Sequence, residues 1–263
     1  MNTSTYALHD SATMLRRDLR HSLRYPMMAI GGLLVPVFLL LLFVGVFGST
    51  LRAGLGAAAP AGGHYIDYLA PGILVITAGA SAAPTAINVC IDMNEGIVAR
   101  FRTMAITRTS VLIGQVLGSL TRTLISGALV IAVAIGLGFR SSAGPVEWLA
   151  VAGLFTGLTL ALTWLAIGFG LTAKTPAGAN SLSLIPQFLP FISSAFVPTA
   201  TMPAGVRWFA ESQPFTPIIN TLRGLLTGTS MGNAWIVAVA WCVVLMAIGS
   251  VWSRARYDRY EKR

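Results

Sequence analysis

Met27-Met-Ala-Ile-Gly-Gly-Leu-Leu-Val-Pro-Val-Phe-Leu-Leu-Leu-Leu-Phe-Val-Gly-Val-Phe47 runs for 21 residues without one charged side chain. A helix of that length rises about 30 Å, the thickness of the hydrocarbon core of a bilayer. A cleavable signal peptide has an apolar stretch of only about 7–15 residues. The run is therefore expected to stay as a first span, despite the small residues Ala57-Ala-Ala59 that follow it. Five more apolar runs lie at about 69–91, 111–139, 148–171, 181–200 and 234–252. The 263-residue chain is 55% hydrophobic and 10% charged, where a soluble domain has about 25% charged residues. Six spans with their connections use up this length and leave no room for a separate catalytic domain. The expectation is an all-α membrane protein of one domain. Residues 1–26 precede the spans, 27–252 contain six of them, and 253–263 form a basic tail.

A net charge of +9 raises nucleic acid as a partner, but that needs basic residues gathered on a soluble face. Here they sit between apolar runs. One set of connections carries Arg16, Arg17, Arg20, Arg24, Arg100, Arg102, Arg108, Arg122, Lys174 and the five basic residues of the tail, 14 in all. The alternate set carries only Arg52, Arg140, Arg207 and Arg223. Lysine and arginine close to spans are retained on the cytoplasmic side, so both termini are expected there. With the arginine-, alanine- and glycine-rich composition, this points to a multi-pass protein of a bacterial inner membrane.

In residues 1–25, Leu8, Ala12, Leu15, Leu19 and Leu23 recur at three- or four-residue steps beside Arg16, Arg17, Arg20 and Arg24. A basic amphipathic helix ended by Pro26 suits the membrane interface, with lipid as its partner. A solvated arginine-rich tail is the alternative. The connection between the second and third runs opens with Asp92 and Glu95 and continues with Arg100 and Arg102, while Ile97, Phe101 and Met104 share one side of a helix. Acids at the start and bases later suit the helix dipole. Such a helix between two spans is either a handle for a partner protein or an interfacial anchor.

Glu95-Gly-Ile-Val-Ala-Arg-Phe-Arg-Thr-Met-Ala-Ile-Thr-Arg108 resembles the cytoplasmic signature of type 2 ABC exporter permeases, and above all their daunorubicin-resistance branch. Acid, glycine, Arg-Phe-Arg and a later arginine match; Ala105 stands where proline is usual. The resemblance implies that Asp92, Glu95, Gly96, Arg100, Phe101, Arg102 and Arg108 couple the spans to a separate cytoplasmic ABC ATPase. A second stretch agrees: Phe196-Val-Pro-Thr-Ala-Thr-Met-Pro203, Arg207-Trp-Phe-Ala210, Gln213-Pro-Phe-Thr216 and Leu222-Arg-Gly-Leu-Leu-Thr-Gly228. Val206, Phe209 and Ala210 make a small apolar face, and Pro203, Pro214 and Pro217 divide the segment into short helical pieces able to dip into a membrane. Similar exporters place a re-entrant hairpin here on the outer side, before the last span. Pro203, Trp208, Phe209, Pro214 and Arg223 are its marker residues. The likeness runs in order along the whole chain, and it implies a dimer of permeases, with ATP and magnesium bound by the partner subunit and none by this chain.

Other constellations carry less. Gly168-Phe-Gly-Leu-Thr-Ala-Lys-Thr175 has the outline of a phosphate-binding loop, but Ala173 replaces its second glycine and no strand precedes it. His9, His21 and His64 lie far apart, and Cys90 and Cys242 stand alone in apolar runs, so no metal site or acid–base pair is expected. Gly114 with Gly118 and Gly153 with Gly157 have the four-residue spacing that lets membrane helices approach closely. Arg122 lies inside the third run, placed to snorkel or to pair with Asp92. A self-sufficient secondary transporter or channel would be expected to carry acids near the midplane, and these runs hold almost none. The favoured function is a permease moving a hydrophobic or amphipathic substrate (a drug, lipid or lipid-linked glycan) out of the cell on ATP hydrolysed elsewhere.

Overall fold

Proline and glycine chemistry divides the chain where the apolar runs end. The computed structural model describes residues 26–46, 48, 64–94 and 108–261, and its ordered elements are all helical. Helix α1 is Pro26–Gly45, with proline at its first position, where the missing N–H has no partner to lose. Helices α2 (Tyr65–Ala80) and α3 (Ala82–Asn94) form one 30-residue apolar stretch with a break at Ser81. Pro84 has no N–H for the carbonyl of Ala80, and Ser81 caps the end instead, its Oγ donating to the Ala78 carbonyl at 2.7 Å. Helix α4 is Arg108–Gly136 and α5 is Pro145–Thr172. Helix α6, Pro176–Phe188, opens on Thr175, whose hydroxyl accepts from the Gly178 amide at 3.2 Å.

The fifth apolar run, at about 181–200, is not one continuous helix with those bounds. The α-helix starts at Pro176 and stops at Phe188, a 3-10 turn follows over Leu189–Ile192, and the chain bends at Ser193. Pro190 cannot pair the Pro186 carbonyl, and a Cβ on Gly79 of α2 would lie 2.5 Å from that oxygen. The freed carbonyl therefore packs against a backbone that has no side chain there. A second short 3-10 turn (Thr199–Thr201) leads to α7 (Ala204–Ser212) and α8 (Phe215–Thr227). Pro203 and Pro214 do cap these helices, but Pro217 divides nothing. It sits in the first turn of α8, where a proline costs no helix hydrogen bond. Gly228, at φ +70°, ends α8 in the left-handed conformation. The last helix, α9, is Ala234–Glu261, so the basic tail continues the final span as helix nearly to the end of the chain.

Among the described residues, four stretches are long and apolar enough to cross a membrane: Tyr65–Asn94, Ile113–Gly136, Pro145–Thr172 and Ala234–Tyr257. Helix α2 is the axis of the bundle. Fifteen of its sixteen residues are buried, and α1, α4, α5, α6 and α8 pack around it. Gly72 permits one of these approaches, since a Cβ there would stand 2.8 Å from Ala195. Helix α9 packs chiefly on α5 and exposes most of its surface. Outward-facing Leu34, Phe38, Ile185, Val243 and Ile248 complete an apolar exterior that suits hydrocarbon rather than water.

Candidate functional site

Two ends of the bundle are defined by polar contacts. At one end, Asp67 in the first turn of α2 is buried and accepts two backbone amides, His64 at 2.9 Å and Arg140 at 3.1 Å. The 139–144 connection also holds α8, because the Ser141 hydroxyl (2.8 Å) and the Ser142 amide (3.0 Å) both donate to the Leu226 carbonyl.

Arg223 of α8 lies at the centre of this end. Its Nη2 donates to the Ser194 carbonyl at 2.7 Å, its Nη1 to Asn220 Oδ1 at 2.9 Å and its Nε to the Tyr68 carbonyl at 3.3 Å. The guanidinium carbon is 3.7 Å from the centroid of the Tyr68 ring. Tyr68 and Tyr65, one turn apart on α2, donate their hydroxyls to the carbonyls of Ser194 and Phe196, each at 3.0 Å. The turn after α6 is thus fastened to α2 and α8 through its own backbone oxygens. Ser194 adds a hydroxyl bond to Asn220 Oδ1 at 2.8 Å. Gln213, between α7 and α8, donates its side-chain amide to the Ile192 carbonyl.

The marker residues of the expected hairpin fall into two groups. Arg223 is the knot just described, while Pro203, Trp208, Phe209 and Pro214 belong to the projecting α7 and its boundaries. Trp208 is 72% exposed and Phe209 39%. On α7 the Ala210 carbonyl accepts from the Thr216 hydroxyl of α8, and Arg207 Nε donates to Glu211 at 2.9 Å, with Thr199 donating to the same carboxylate oxygen at 3.0 Å. These two donors hold the Glu211 carboxyl below the usual carboxylate range.

At the opposite end, Asp92 on α3 accepts from Gln115 Nε2 of α4 at 2.7 Å. Asn94 reaches the Lys174 carbonyl at 3.3 Å. Arg108 is the first residue of α4. Of the other expected coupling residues, Glu95, Gly96, Arg100, Phe101 and Arg102 lie outside the described residues, as do Arg16, Arg17, Arg20 and Arg24 of the interfacial helix. The stretch from 95 to 107 is bounded by two helices that the Asp92–Gln115 bond ties together.

Between the ends, a chain of hydroxyls crosses three helices. Thr85 of α3 is 2.9 Å from Ser119 of α4, which is 3.2 Å from Thr163 of α5. All three are buried, a form of interhelical link suited to a membrane interior. The glycines of the phosphate-loop-like stretch serve packing. Gly168 abuts Trp252, and a Cβ on Gly170 would stand 2.5 Å from the Ala86 carbonyl. Gly153 and Gly157 were expected to bring helices close, yet their Cβ positions have nothing within 4 Å.

The sequence reading singled out Arg223 but not its partners. Tyr65 with Tyr68 and Asn220 with Arg223 are pairs spaced three apart, each falling on one helix face, and that spacing was the available signal. Gln115 carried none.

Comparison with known proteins fits this arrangement. The chain is 27% identical over 241 residues to the daunorubicin resistance ABC transporter permease protein of Streptomyces coeruleorubidus, covering 90% of this chain and 81% of that one. It is 26% identical over 174 residues, 62% of each chain, to a probable doxorubicin resistance ABC transporter permease protein of Mycobacterium tuberculosis. The sequence profile of the ABC-2 type transporter family matches residues 10–227, from before α1 to the end of α8, and the chain belongs to that family of membrane permeases.

Proposed function

We propose that the chain is the membrane half of an exporter in a bacterial inner membrane, working as a dimer of permeases with ATP and magnesium held by a separate cytoplasmic ABC ATPase. The observation that carries this reading is the family match across 10–227, which includes the stretch from 92 to 108. Asp92, Glu95, Gly96, Arg100, Phe101, Arg102 and Arg108 are its coupling residues. A push on that stretch reaches two long helices at once, because Asp92 and Gln115 join α3 to α4. A contact that differs between nucleotide states is what converts hydrolysis into movement.

The whole chain forms one transmembrane domain. Its six spans are α1, α2 with α3, α4, α5, α6 with its 3-10 turn, and α9. The fifth is the shortest, yet thirteen α-helical and four 3-10 residues rise about 27 Å, close to the hydrocarbon thickness of about 30 Å. It leads from Lys174 beside Asn94 to Ser194 beside Tyr68, hence from one end of the bundle to the other. With the basic connections inside, both termini are cytoplasmic, Arg16, Arg17, Arg20 and Arg24 lie on the inner interface, and the Asp67 end is outside. Helices α7 and α8 then form the outer re-entrant hairpin, with Trp208 and Phe209 turned to lipid.

The substrate is a hydrophobic or amphipathic molecule, of which the drugs named for the relatives are one class. The test is ATP-driven accumulation of daunorubicin in inverted vesicles holding this chain and its ATPase. Accumulation that is lost in Glu95→Ala and Arg100→Ala, with the permease still folded, is the expected result. An ATPase that fails to copurify, together with movement driven by a proton gradient, would overturn the reading.

A further inference from the structure

Helices α5 and α9 run side by side in the same direction and pack extensively on each other. Near the Asp92 end the contact is tight: a Cβ on Gly168 would fall 2.6 Å from the Trp252 ring, and one on Gly249 2.8 Å from the Leu165 backbone nitrogen. Toward the Asp67 end the two helices part. There Gly153 and Gly157 look into open space, and the wedge is a cavity of about 530 Å³. Leu225 of α8 lies at its floor, and Trp235, Cys242 and Met246 form its α9 wall.

The chemistry of the walls selects the occupant. They are apolar almost throughout, and the hydroxyl of Thr221 that borders the space is spent on the Pro217 carbonyl at 2.8 Å. Water would find no set of partners there. The cavity is continuous with the outer face of α9, because its wall residues Trp235, Val239 and Val243 are themselves about half exposed. From Trp235 to Met246 the helix rises about 16 Å, half of a hydrocarbon core of about 30 Å and so one leaflet. Trp235 stands at the end where an interfacial tryptophan belongs. A dry lining, an opening onto the lipid-facing side of α9 and a length of one leaflet together fit a single hydrocarbon chain.

The geometry points to a lipid site: the wedge between α5 and α9 holds one acyl chain of a bilayer lipid from the leaflet on the Asp67 side. That leaflet is the outer one under the orientation proposed above, and only the choice of leaflet rests on that reading. Glycine at 153 and 157 keeps the slot open, where a bulky side chain would project into it.

The test uses the full chain in nanodiscs of phosphatidylcholine bearing a photoreactive diazirine midway along one acyl chain, with labelled positions mapped by mass spectrometry. Labelling is expected to concentrate at 150–157 and 235–246 over Ile248 and Val251, which are exposed on α9 outside the wedge. In Gly157→Phe it should fall to the level of those residues. Even labelling along α9 in the wild-type chain, which requires no variant, would overturn the proposal, as would undiminished labelling in a folded Gly157→Phe or Gly157→Leu. Crosslinks from 150–157 to another copy of the chain would overturn it too. None of these results depends on ATP or an ATPase, so failure of the exporter reading would be seen separately.

Discussion

The guanidinium of Arg223 lies 3.7 Å over the ring of Tyr68 while its three nitrogens donate to Ser194, Asn220 and Tyr68 itself. One side chain therefore joins α8, α2 and the turn after α6. A hydrogen bond from a charged donor contributes about 1.5–3 kcal/mol and a cation–π contact about 1 kcal/mol. Arg223→Ala is expected to lower stability by about 3 kcal/mol, read as a drop in the unfolding midpoint in detergent by tryptophan fluorescence. Arg223→Lys should recover less than half, because an ammonium cannot keep the planar three-way fork. Full recovery by lysine would mean that charge alone matters.

The glycines of the α5–α9 contact should divide by position. Gly249→Ala places a methyl against the Leu165 backbone, which has no room to give, and is expected to cost about 1–3 kcal/mol as overpacking. Gly153→Ala meets nothing within 4 Å and should be neutral or slightly stabilising through higher helix propensity. Thermal unfolding of the two variants side by side checks this, and equal losses would contradict it.

Ser119→Ala interrupts the hydroxyl chain between Thr85 and Thr163. Interhelical hydrogen bonds of this kind in membranes contribute about 0.6 kcal/mol on average, so a small loss is expected. Thr85 keeps its bond to the Ser81 carbonyl at 2.9 Å, which limits the damage. A double-mutant cycle with Thr163→Val measures the coupling directly.

The fastening of α7 should depend on acidity. Its donors Arg207 and Thr199 lower the folded-state pKa of Glu211, so the contribution is fully present above the unfolded value of about 4.3. It is lost as pH falls through the lowered folded value. Protection of 204–212 against hydrogen exchange, taken relative to the intrinsic exchange rate at each pH, should thus fall on acidification below about pH 4 in wild type, and in Glu211→Gln it should be low and independent of pH across the same range. The carboxylate is exposed, so the effect is local and modest.

Gln115→Met removes the tie to Asp92 without touching the 95–107 stretch. If that stretch is the ATPase contact, the ATPase should still copurify while substrate movement per ATP falls. Loss of ATPase binding in this variant would place the contact on the tie itself.

Much of the bundle was legible because its signals are local. Continuous apolar runs mark α1, α2 with α3, α4, α5 and α9 wherever a helix must bury its backbone polarity, and Pro203 and Pro214 mark the ends of α7 and α8. The fifth run has other bounds than apolarity suggests, because the helix starts among the small and polar residues at Pro176 and the backbone chemistry of Pro186 and Pro190 ends it at Phe188. At the candidate site, Arg223 is marked in the sequence only through the family resemblance, as part of the outer hairpin. Its partners are not marked, since carbonyls have no residue-type signature and those it finds lie 155 and 29 residues away.

The sequence by itself determined the class of protein, the order of its helices and the asymmetry of basic charge between its two sets of connections. Run length, proline backbone chemistry and charge are properties of neighbouring residues. Only the tertiary structure decided which glycines are filled from across a helix contact, as Gly72, Gly79, Gly168 and Gly249 are, and which look into the wedge, as Gly153 and Gly157 do. A glycine's own sequence records that room was made, and the path of the neighbouring helix determines what occupies it.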